Sequence, residues 1–405
     1  MAETEKLQII PLGGMGEIGK NMTAIRYQDN IVVIDCGLMF PEEELLGIDI
    51  VIPDITYLLD NRDKVKGIIL THAHEDHVGA LPYVMKELDA PIFGTRLTLG
   101  IAENKLREFG LVGKTKLCVV KPREKVNLGP LTLEFIRVSH SIPDSVAVAI
   151  HTPLGVIVHT GDFKLDQTPI DGQGVDFAKF AELGEKGVLL LMSDSTNADR
   201  VGYTPSERVV GKAFEELFGQ CEGRIIVTTF ASNIHRIQQV VNTACHYERK
   251  VAIVGRSMVN NINISRELGY INIPDGTIIE MEDINRHPAN EVVIITTGSQ
   301  GEPMSALTRM ATADHRWVEI MSGDTVIISA TPIPGNEKLV ARTVDLLMRQ
   351  GAEVIYERES GVHVSGHGSQ EEMKIILGMI KPRYFIPVHG EYRHLMKHAK
   401  LGESM

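Results

Sequence analysis

The sequence has little of what marks a disulfide-stabilised or membrane-spanning protein. Its 405 residues include only four cysteines, Cys36, Cys118, Cys221 and Cys245, and none of them belongs to a C-x-x-C pair. Such scattered cysteines fit a reducing cytosol better than a disulfide framework, so we expect a cytoplasmic protein. No apolar run approaches the roughly 20 residues of a membrane span, and no signal-peptide core follows the charged start MAETEK. We therefore expect no membrane partner.

Positive charge is also scarce. The chain has 41 basic against 53 acidic residues, a net charge of −12. Taken alone, this balance disfavours a polyanionic substrate, although metal ions or a local cationic groove can reverse the field at one site. Apolar residues make up 43% of the chain, enough for a large core, and the length indicates two or three domains.

The stretch LQIIPLGGMGEIGKN contains G-x-G-x-x-G at Gly14, Gly16 and Gly19, and Asp35 ends the next apolar run. A dinucleotide site built from such parts needs a helix directly after the glycines, to hold the pyrophosphate. The residues that follow, NMTAIRYQDN, instead alternate β-forming residues and end in a turn signal. We therefore expect a hairpin and no dinucleotide.

The stretch VKGIILTHAHEDHVGALPYVMKEL decides the interpretation. An apolar strand leads into THAHEDH, and the residues after it have the pattern of an amphipathic helix. Histidine nitrogens and carboxylate oxygens suit zinc and, less selectively, manganese. Any one of these side chains alone is better explained as part of a polar surface loop. Four potential ligands within six residues indicate a metal site: His72, His74, Asp76 and His77.

With its H-x-H-x-D-H motif, the sequence resembles the metallo-β-lactamase superfamily, whose fold is an αββα sandwich. The segments VSHSIPD, HTGDF and PVHGEY extend the resemblance, since each places a ligand type after an apparent strand: His140, Asp162 and His389. The resemblance implies two divalent ions, zinc or alternatively manganese, with a water or hydroxide between them as nucleophile. It also implies that Asp162 bridges two ligand groups, which are His72, His74 and His140 for one ion and Asp76, His77 and His389 for the other.

A second α/β stretch interrupts this pattern. GRIIVTTF, RKVAIVG, NEVVIITTGSQGEP and DTVIISATPIPG have the character of strands, and helical segments alternate with them, which is typical of a parallel sheet. We expect a metallo-β-lactamase domain over residues 1–204 and 356–405, with an inserted domain over 205–355. This layout resembles the β-CASP nucleases. TTFASNIHRIQQ and TGSQGEPMSAL, with the earlier motifs, resemble the bacterial ribonuclease J group, whose usual C-terminal domain we expect to be absent here.

The resemblance implies roles for individual residues. Asp194 matches the acid of β-CASP motif A, His367 matches motif B, and the histidine at motif C, His389, is typical of RNA-processing members. It implies a two-metal 5′-to-3′ exonuclease and endonuclease for single-stranded RNA, with Asp76, Asp194 and His367 catalytic. A preference for 5′-monophosphate ends is implied too. The candidates for binding that substrate lie in two Gly/Ser loops before helices: Ser232, Asn233, His363, Val364, Ser365, Gly366 and His367.

Two alternatives remain open at this stage. One is a catalytically silent RNA-binding paralogue, which the complete ligand set and His367 disfavour. The other is a hydrolase of a small ester, which the inserted domain disfavours. For the full-length form, the resemblance implies a homodimer or a higher homo-oligomer.

Overall fold

The computed structural model describes residues 5–41, 45, 47–302, 304–333, 335–356 and 360–405. No helix in these ranges is long and apolar enough to cross a membrane. The strands are β1 (Leu7–Gly13), β2 (Met15–Gly16), β3 (Met22–Tyr27), β4 (Asn30–Ile34), β5 (Val65–Ile69), β6 (Ile92–Gly94), β7 (Leu117–Val119), β8 (Lys125–Leu128), β9 (Leu131–Arg137), β10 (Val146–Thr152), β11 (Gly155–His159), β12 (Leu190–Asp194), β13 (Ile225–Thr228), β14 (Lys250–Val254), β15 (Val292–Thr296), β16 (Thr325–Ile328), β17 (Glu353–Ile355), β18 (Tyr384–Val388) and β19 (Gly390–Glu391). The helices are α1 (Thr56–Asp60), α2 (Glu75–Val78), α3 (Leu81–Val84), α4 (Arg96–Glu108), α5 (Phe177–Lys186), α6 (Arg208–Gln220), α7 (Ile234–His246), α8 (Arg256–Glu267), α9 (Ala306–Ala311), α10 (Glu337–Arg349), α11 (Gln370–Ile380) and α12 (Tyr392–Ser404).

The chain divides into two compact units. The first contains residues 1–167, 173–204 and 366–405, and the second contains residues 168–172 and 205–365. The chain thus returns to the first unit at Gly366, whereas the sequence pattern put the return at 356. The domain limits derived from the sequence stay a prediction.

The first unit is an αββα sandwich. Its described strands form two six-stranded mixed sheets, ordered β1-β3-β4-β5-β6-β7 and β18-β12-β11-β10-β9-β8. In β4, Val32 and Ile34 pack against the second sheet, while Ile31 and Val33 pack against α3 and α4. In β10, the valines face the first sheet and the alanines face α5 and α11. This period of two lets one strand supply two cores, so each sheet is covered on both faces.

The glycine cluster lies in a loop between strands. The strand β3 follows it and pairs antiparallel with β4, which confirms the expected hairpin. A Cβ on Gly14 (φ 79°) would lie 2.3 Å from Oδ1 of Asn21, so glycine is needed at that position. The carbonyl of Gly14 accepts a hydrogen bond from the backbone N–H of His389 (3.0 Å), and β2 pairs with β19. The loop therefore lies beside a predicted ligand.

The segment after THAHEDH is not the single helix that its pattern predicts. The helix α2 ends at Val78, the first residue of this segment, and only the four-residue helix α3 follows. The backbone N–H of Ala80 donates to the carbonyl of Cys36 (2.9 Å), and the carbonyl of Asp76 accepts from the backbone N–H of Asn21 (3.0 Å). Pro82 has no N–H to continue a helix. These backbone groups therefore form hydrogen bonds with other segments of the protein, near the ligand motif, and not along one continuous helix.

The second unit contains a parallel sheet, as its sequence predicts. Its described strands are ordered β14-β15-β13-β16-β17, and all neighbouring pairs are parallel. The central strands are buried along their whole length, which explains their unbroken apolar sequences.

Two helical glycines give a matched test of the packing between α5 and α11. A Cβ on Gly184 would lie 1.9 Å from the carbonyl oxygen of Met379 in α11, whereas a Cβ on Gly378 would have Cε of Met405 as its nearest neighbour, at 3.7 Å. We expect Gly184→Ala to lower the free energy of unfolding by about 1–3 kcal/mol, because the helices must separate. Gly378→Ala should be neutral or stabilising by up to about 1 kcal/mol, through helix propensity. Denaturant unfolding measures both free energies. Equal free energies of unfolding for the two variants would contradict this packing.

Candidate metal centre

The predicted ligands lie at one edge of the sandwich in the first unit. The loop after β5 and the helix α2 that follows it carry the H-x-H-x-D-H motif, at the carboxyl end of that strand. In the second sheet, β9, β11, β12 and β18 all run in the same direction, so their carboxyl ends reach a common edge. The residues at or just after those ends are His140, Asp162, Asp194 and His389. Ligands far apart in sequence therefore meet because of strand direction.

The first group of potential ligand atoms belongs to His72, His74, His140 and Asp162, which lie within 4.8 Å of one another. Nδ1 of His74 lies 3.1 Å from Nε2 of His72 and 3.1 Å from Nε2 of His140. On the far side of the His140 ring, Nδ1 donates to the carbonyl of Gly366 (2.7 Å), which leaves a lone pair on Nε2 of the neutral ring. Converging lone pairs repel one another, so this donor set fits a cation.

The second group belongs to Asp76, His77, Asp162 and His389, again within 4.8 Å. Nε2 of His389 is 3.0 Å from Oδ2 of Asp76, and Nε2 of His77 is 3.3 Å from Oδ2 of Asp162. The same oxygen of Asp162 is 3.6 Å from Nε2 of His72, in the first group. One carboxylate oxygen thus faces both groups, and the mixed nitrogen and oxygen donors fit divalent cations.

Burial dominates the electrostatics of the first group. It lowers the pKa of His74 to about 4 and the pKa values of His72 and His140 well below their usual range. These rings are therefore neutral at pH 7, as ligands must be.

In the second group, the pKa values of the histidines are raised. Burial lowers the pKa of His389, but the charge of Asp162 and the hydrogen bond that the ring donates to Asp76 outweigh it and raise the pKa to about 9. The same balance raises the pKa of His77 well above its usual range. Burial raises the pKa values of Asp76 and Asp162, but the adjacent histidines outweigh it and hold both well below their usual range. For the chain alone, this group holds protons that an ion must displace.

His367 lies beside both groups. Its Nδ1 is 2.8 Å from Oδ2 of Asp194 and 3.8 Å from Oδ2 of Asp162. Its carbonyl accepts hydrogen bonds from Nδ2 of Asn197 (2.8 Å) and Oγ1 of Thr204 (2.7 Å), which fixes the backbone. Burial lowers the pKa of His367, but the charges of Asp194 and Asp162 outweigh it, and the pKa is raised. The ring is thus suited to carry a proton next to the centre.

Asp194, Asp162, His367 and His389 also form a group within 4.8 Å. The position of His367 therefore permits ligation as well as proton transfer. The expectation that it is not a principal ligand stays a prediction.

The proposed phosphate loops are divided between the units. Ser232, Asn233 and residues 363–365 lie in the second unit, and Gly366 and His367 lie in the first. The side chain of Asn233 caps α7 by accepting from the backbone N–H of Arg236 (3.1 Å), as a structural role alone would require. In the first unit, Ser369 and Glu372 form a capping box at the start of α11. The phosphate pocket stays a prediction.

Arg236 follows the first loop in sequence. Its side chain is fully buried and makes a bidentate ion pair with Glu207, at 2.8 Å for both contacts. It also donates to the carbonyl of Val364 (3.1 Å) and lies 3.0 Å from Nδ1 of His363. A buried guanidinium that is paired with a carboxylate cannot serve as an open phosphate ligand. Its contacts instead order residues 363 and 364 within the second unit.

Sequence reasoning missed side chains that hold the ligand histidines. Asp35, considered only as part of a dinucleotide pattern, accepts from Nδ1 of His77 (2.8 Å). Thr71 donates to Asp35 (2.9 Å), so its hydroxyl oxygen accepts from Nδ1 of His72 (3.0 Å). Their positions in the sequence were the one sign of this role, since Asp35 follows an apolar strand and Thr71 directly precedes a ligand. Such partners fix the tautomer and the plane of a metal-binding ring.

Three family models match successive parts of the chain: metallo-beta-lactamase superfamily over residues 15–194, ribonuclease J beta-CASP domain over 222–347, and Zn-dependent metallo-hydrolase RNA specificity domain over 351–405. Ribonuclease J of Thermus thermophilus is 50% identical over 408 residues, which cover 99% of this chain and 71% of the relative. The chain belongs to the ribonuclease J family. The family and the fold predicted from the sequence, a metallo-β-lactamase sandwich with an inserted β-CASP domain, are confirmed.

Other family members are equally similar. Ribonuclease J2 of Bacillus subtilis is 48% identical, with 99% of this chain and 72% of the relative covered. Ribonuclease J of Synechocystis sp. is 50% identical over 99% of this chain, but the chain spans only 63% of that relative's length. A crystal structure of a protein of unknown function from Enterococcus faecalis V583 has a TM-score of 0.70 at 17% identity, covering 97% of this chain and 95% of the other. That likeness concerns the fold alone.

The opposite pKa shifts in the two groups predict that only one group releases protons when it binds an ion. At pH 7, loading the second group should displace protons from His389 and His77, so its affinity should rise with pH towards the pKa of His389, about 9. The first group should bind independently of pH well above the pKa of His74, about 4. Mn²⁺ titration calorimetry in buffers of different ionisation enthalpy counts these protons.

The control is His389→Gln, which leaves the first group intact and removes one of the two protonated rings, so it should release fewer protons than the unmodified protein. Equal proton release from that variant and the unmodified protein would contradict the assignment of the protons to the second group.

Proposed function

We propose that this chain is a two-metal ribonuclease that hydrolyses single-stranded RNA, as a 5′-to-3′ exonuclease and as an endonuclease, in RNA maturation and decay. The observation that carries the proposal is the convergence of two ligand groups on Oδ2 of Asp162, with the His367–Asp194 pair beside them. Membership of the ribonuclease J family and the match to an RNA specificity domain support RNA as the substrate.

Two divalent ions are the proposed cofactors. Zinc suits the histidine-rich donors best, and manganese is the alternative. When bound, they would supply Lewis acidity, lower the pKa of water and balance charge on the phosphate oxygens. In this proposal the three histidines of the first group hold one ion, Asp162 faces both, and the rest of the second group holds the other: Asp76, His77 and His389.

His367 is the proposed proton donor to the leaving oxygen. Asp194 receives the Nδ1–H of the ring at 2.8 Å, so the proton that can be transferred is the one on Nε2. The raised pKa increases the fraction of rings that carry this proton. The carboxylate of Asp194 also stabilises the ring while it is charged, which gives this acid a catalytic role through His367.

The alternatives account for fewer observations. A silent RNA-binding paralogue has no need for two complete ligand groups with a polarised histidine beside them. A small-ester hydrolase has no need for the β-CASP unit. With a net charge of −12, the chain itself repels polyanions, so bound cations would also serve to attract the phosphates.

We further propose that the exonuclease prefers 5′-monophosphate ends and that the protein is a cytoplasmic homodimer or higher homo-oligomer. The preference rests on Ser232 and Asn233, which precede α7, and on Ser365, all three within the second unit. Backbone N–H groups and hydroxyls at such positions suit a compact monophosphate. A triphosphate needs more space and adds charge, so a closed pocket would reject it.

Two variants separate ligation from proton transfer. Asp76→Ala should lose one ion and abolish RNA hydrolysis, with the fold retained, because the side chain lies in the short helix α2 at the edge of the sheet and not in an apolar core. His367→Ala should keep both ions and lose turnover by roughly two or more orders of magnitude, because its role is chemical. Elemental analysis and cleavage of labelled RNA, on one preparation of each variant, give both quantities.

Full ribonuclease activity of Asp76→Ala would refute the two-metal assignment. Loss of an ion from His367→Ala would reassign that histidine to ligation.

The 5′ end of the RNA should control the exonuclease rate. We expect 5′-monophosphorylated RNA to be degraded much faster than 5′-triphosphorylated RNA, and internal cleavage to be equal for the two. Ser232→Ala combined with Ser365→Ala should reduce the ratio of the exonuclease rates and spare internal cleavage. The exposed Ser322, also in the second unit, offers the control variant Ser322→Ala. Equal exonuclease rates on both ends in the unmodified protein would show that no such pocket operates.

A further inference from the structure

Thr196 lies two residues after Asp194, just beyond the end of β12, and its hydroxyl contacts two groups of the candidate metal centre. Oγ1 of Thr196 is 2.8 Å from Oδ1 of Asp194 and 2.6 Å from Nδ1 of His389. The backbone N–H of Thr196 also donates to Oδ1 of Asp194, at 2.9 Å. The hydroxyl thus stands between the motif A acid and a ligand histidine.

The number of protons fixes the direction of these hydrogen bonds. A threonine hydroxyl has one proton, and an ionised carboxylate has none, so the 2.8 Å contact with Oδ1 of Asp194 takes the hydroxyl proton; the carbonyl oxygen of His389, at 3.2 Å, is a second acceptor. With that proton given to an oxygen, the contact at 2.6 Å requires Nδ1 of His389 to donate to the hydroxyl. In the neutral ring the lone pair is then on Nε2, the nitrogen that lies 3.0 Å from Oδ2 of Asp76.

Asp194 does not make this contact itself. Its Oδ1 lies 3.8 Å from Nδ1 of His389, beyond hydrogen-bond distance, so the threonine hydroxyl is the bridge between them. Asp194 also receives Nδ1–H of His367 on its other oxygen. The sequence His367, Asp194, Thr196, His389 is therefore one continuous chain of hydrogen bonds.

The orientation of the His389 ring needs such a partner. The residue has a left-handed backbone (φ 55°), which is uncommon for a side chain of this size. The ring lies parallel to His77, with centroids 5.3 Å apart and an interplanar angle of 10°. The hydrogen bond from Nδ1 to Thr196, at one edge of the ring, restricts its rotation about the Cβ–Cγ bond and so helps to fix its plane. A comparable arrangement holds His72 through Thr71, at the other ligand group.

We propose that Thr196 is a positioning residue of the metal centre, which fixes the tautomer and the plane of His389 and links this ring to Asp194. The inference rests on the proposed two-metal function. Residues that orient a ligand in this way change metal affinity about 10–100-fold when they are replaced. The sequence around Thr196 gives no sign of a positioning role. The role follows from the contacts of its side chain alone.

Thr196→Val removes the hydroxyl and keeps the shape, while Thr196→Ser restores the hydroxyl. We expect Mn²⁺ titration to show an affinity about 10–100-fold weaker at the second group for Thr196→Val, with the first group unchanged, and near-normal affinity for Thr196→Ser. The control is Thr343→Val, which removes a buried hydroxyl elsewhere in the chain, one that donates to the carbonyl of Leu339 within α10. This control should leave both affinities unchanged.

A second readout does not depend on a variant or on bound metal. Long-range ¹H–¹⁵N spectra of the metal-free protein, recorded at a pH where the ring is neutral, report which nitrogen of His389 carries the proton. We expect Nδ1–H in the unmodified protein and in Thr196→Ser, and a mixture of tautomers in Thr196→Val. The Nε2–H tautomer in the unmodified protein would overturn the inference even if Thr196→Val failed to fold.

The two proposals fail in different ways. Two ions bound by the unmodified protein, with equal affinities in Thr196→Val, would overturn the role of Thr196 and leave the two-metal function standing. Failure of the unmodified protein to bind ions would instead overturn the two-metal function.

Discussion

One buried carboxylate oxygen, Oδ2 of Asp162, is the point on which the centre depends. Ring nitrogens surround it at 3.3 Å from His77, 3.5 Å from His389, 3.6 Å from His72 and 3.8 Å from His140. Asp162 is 2% exposed, and a buried charge of this kind is tolerated only with positive charge beside it. Protonated histidines or divalent ions can supply that charge. The centre is therefore built to exchange protons for metal.

The sandwich serves this carboxylate in two ways. Parallel strand directions bring the ends of β9, β11, β12 and β18 to one edge, where loops supply the ligands. In four of the histidines, the Nδ1 atom points away from the centre and makes a hydrogen bond with a neighbouring group. The Nε2 atom of each ring is left facing the centre. The partners of His72, His77, His140 and His389 are, in that order, Thr71, Asp35, the carbonyl of Gly366 and Thr196.

The ligands could be predicted from the sequence because four of them lie within six residues and the others come within three residues of a strand end. The αββα fold was predictable for a similar reason, since family motifs are local patterns. The roles of Asp35, Thr71 and Thr196 could not be predicted, because each depends on contacts that folding creates. Thr196 and His389, for example, are 193 residues apart. The break between α2 and α3 was missed because the carbonyl of Cys36 competes for a helical N–H.

The central claim is that two ions occupy the two ligand groups on either side of Asp162. Anomalous diffraction from crystals loaded with Mn²⁺ or Zn²⁺ tests it most directly, because the signal locates each ion without reference to activity. The account predicts two peaks, one among His72, His74 and His140 and one among Asp76, His77 and His389, both next to Oδ2 of Asp162. A single peak, or a second peak away from Asp162, would contradict it.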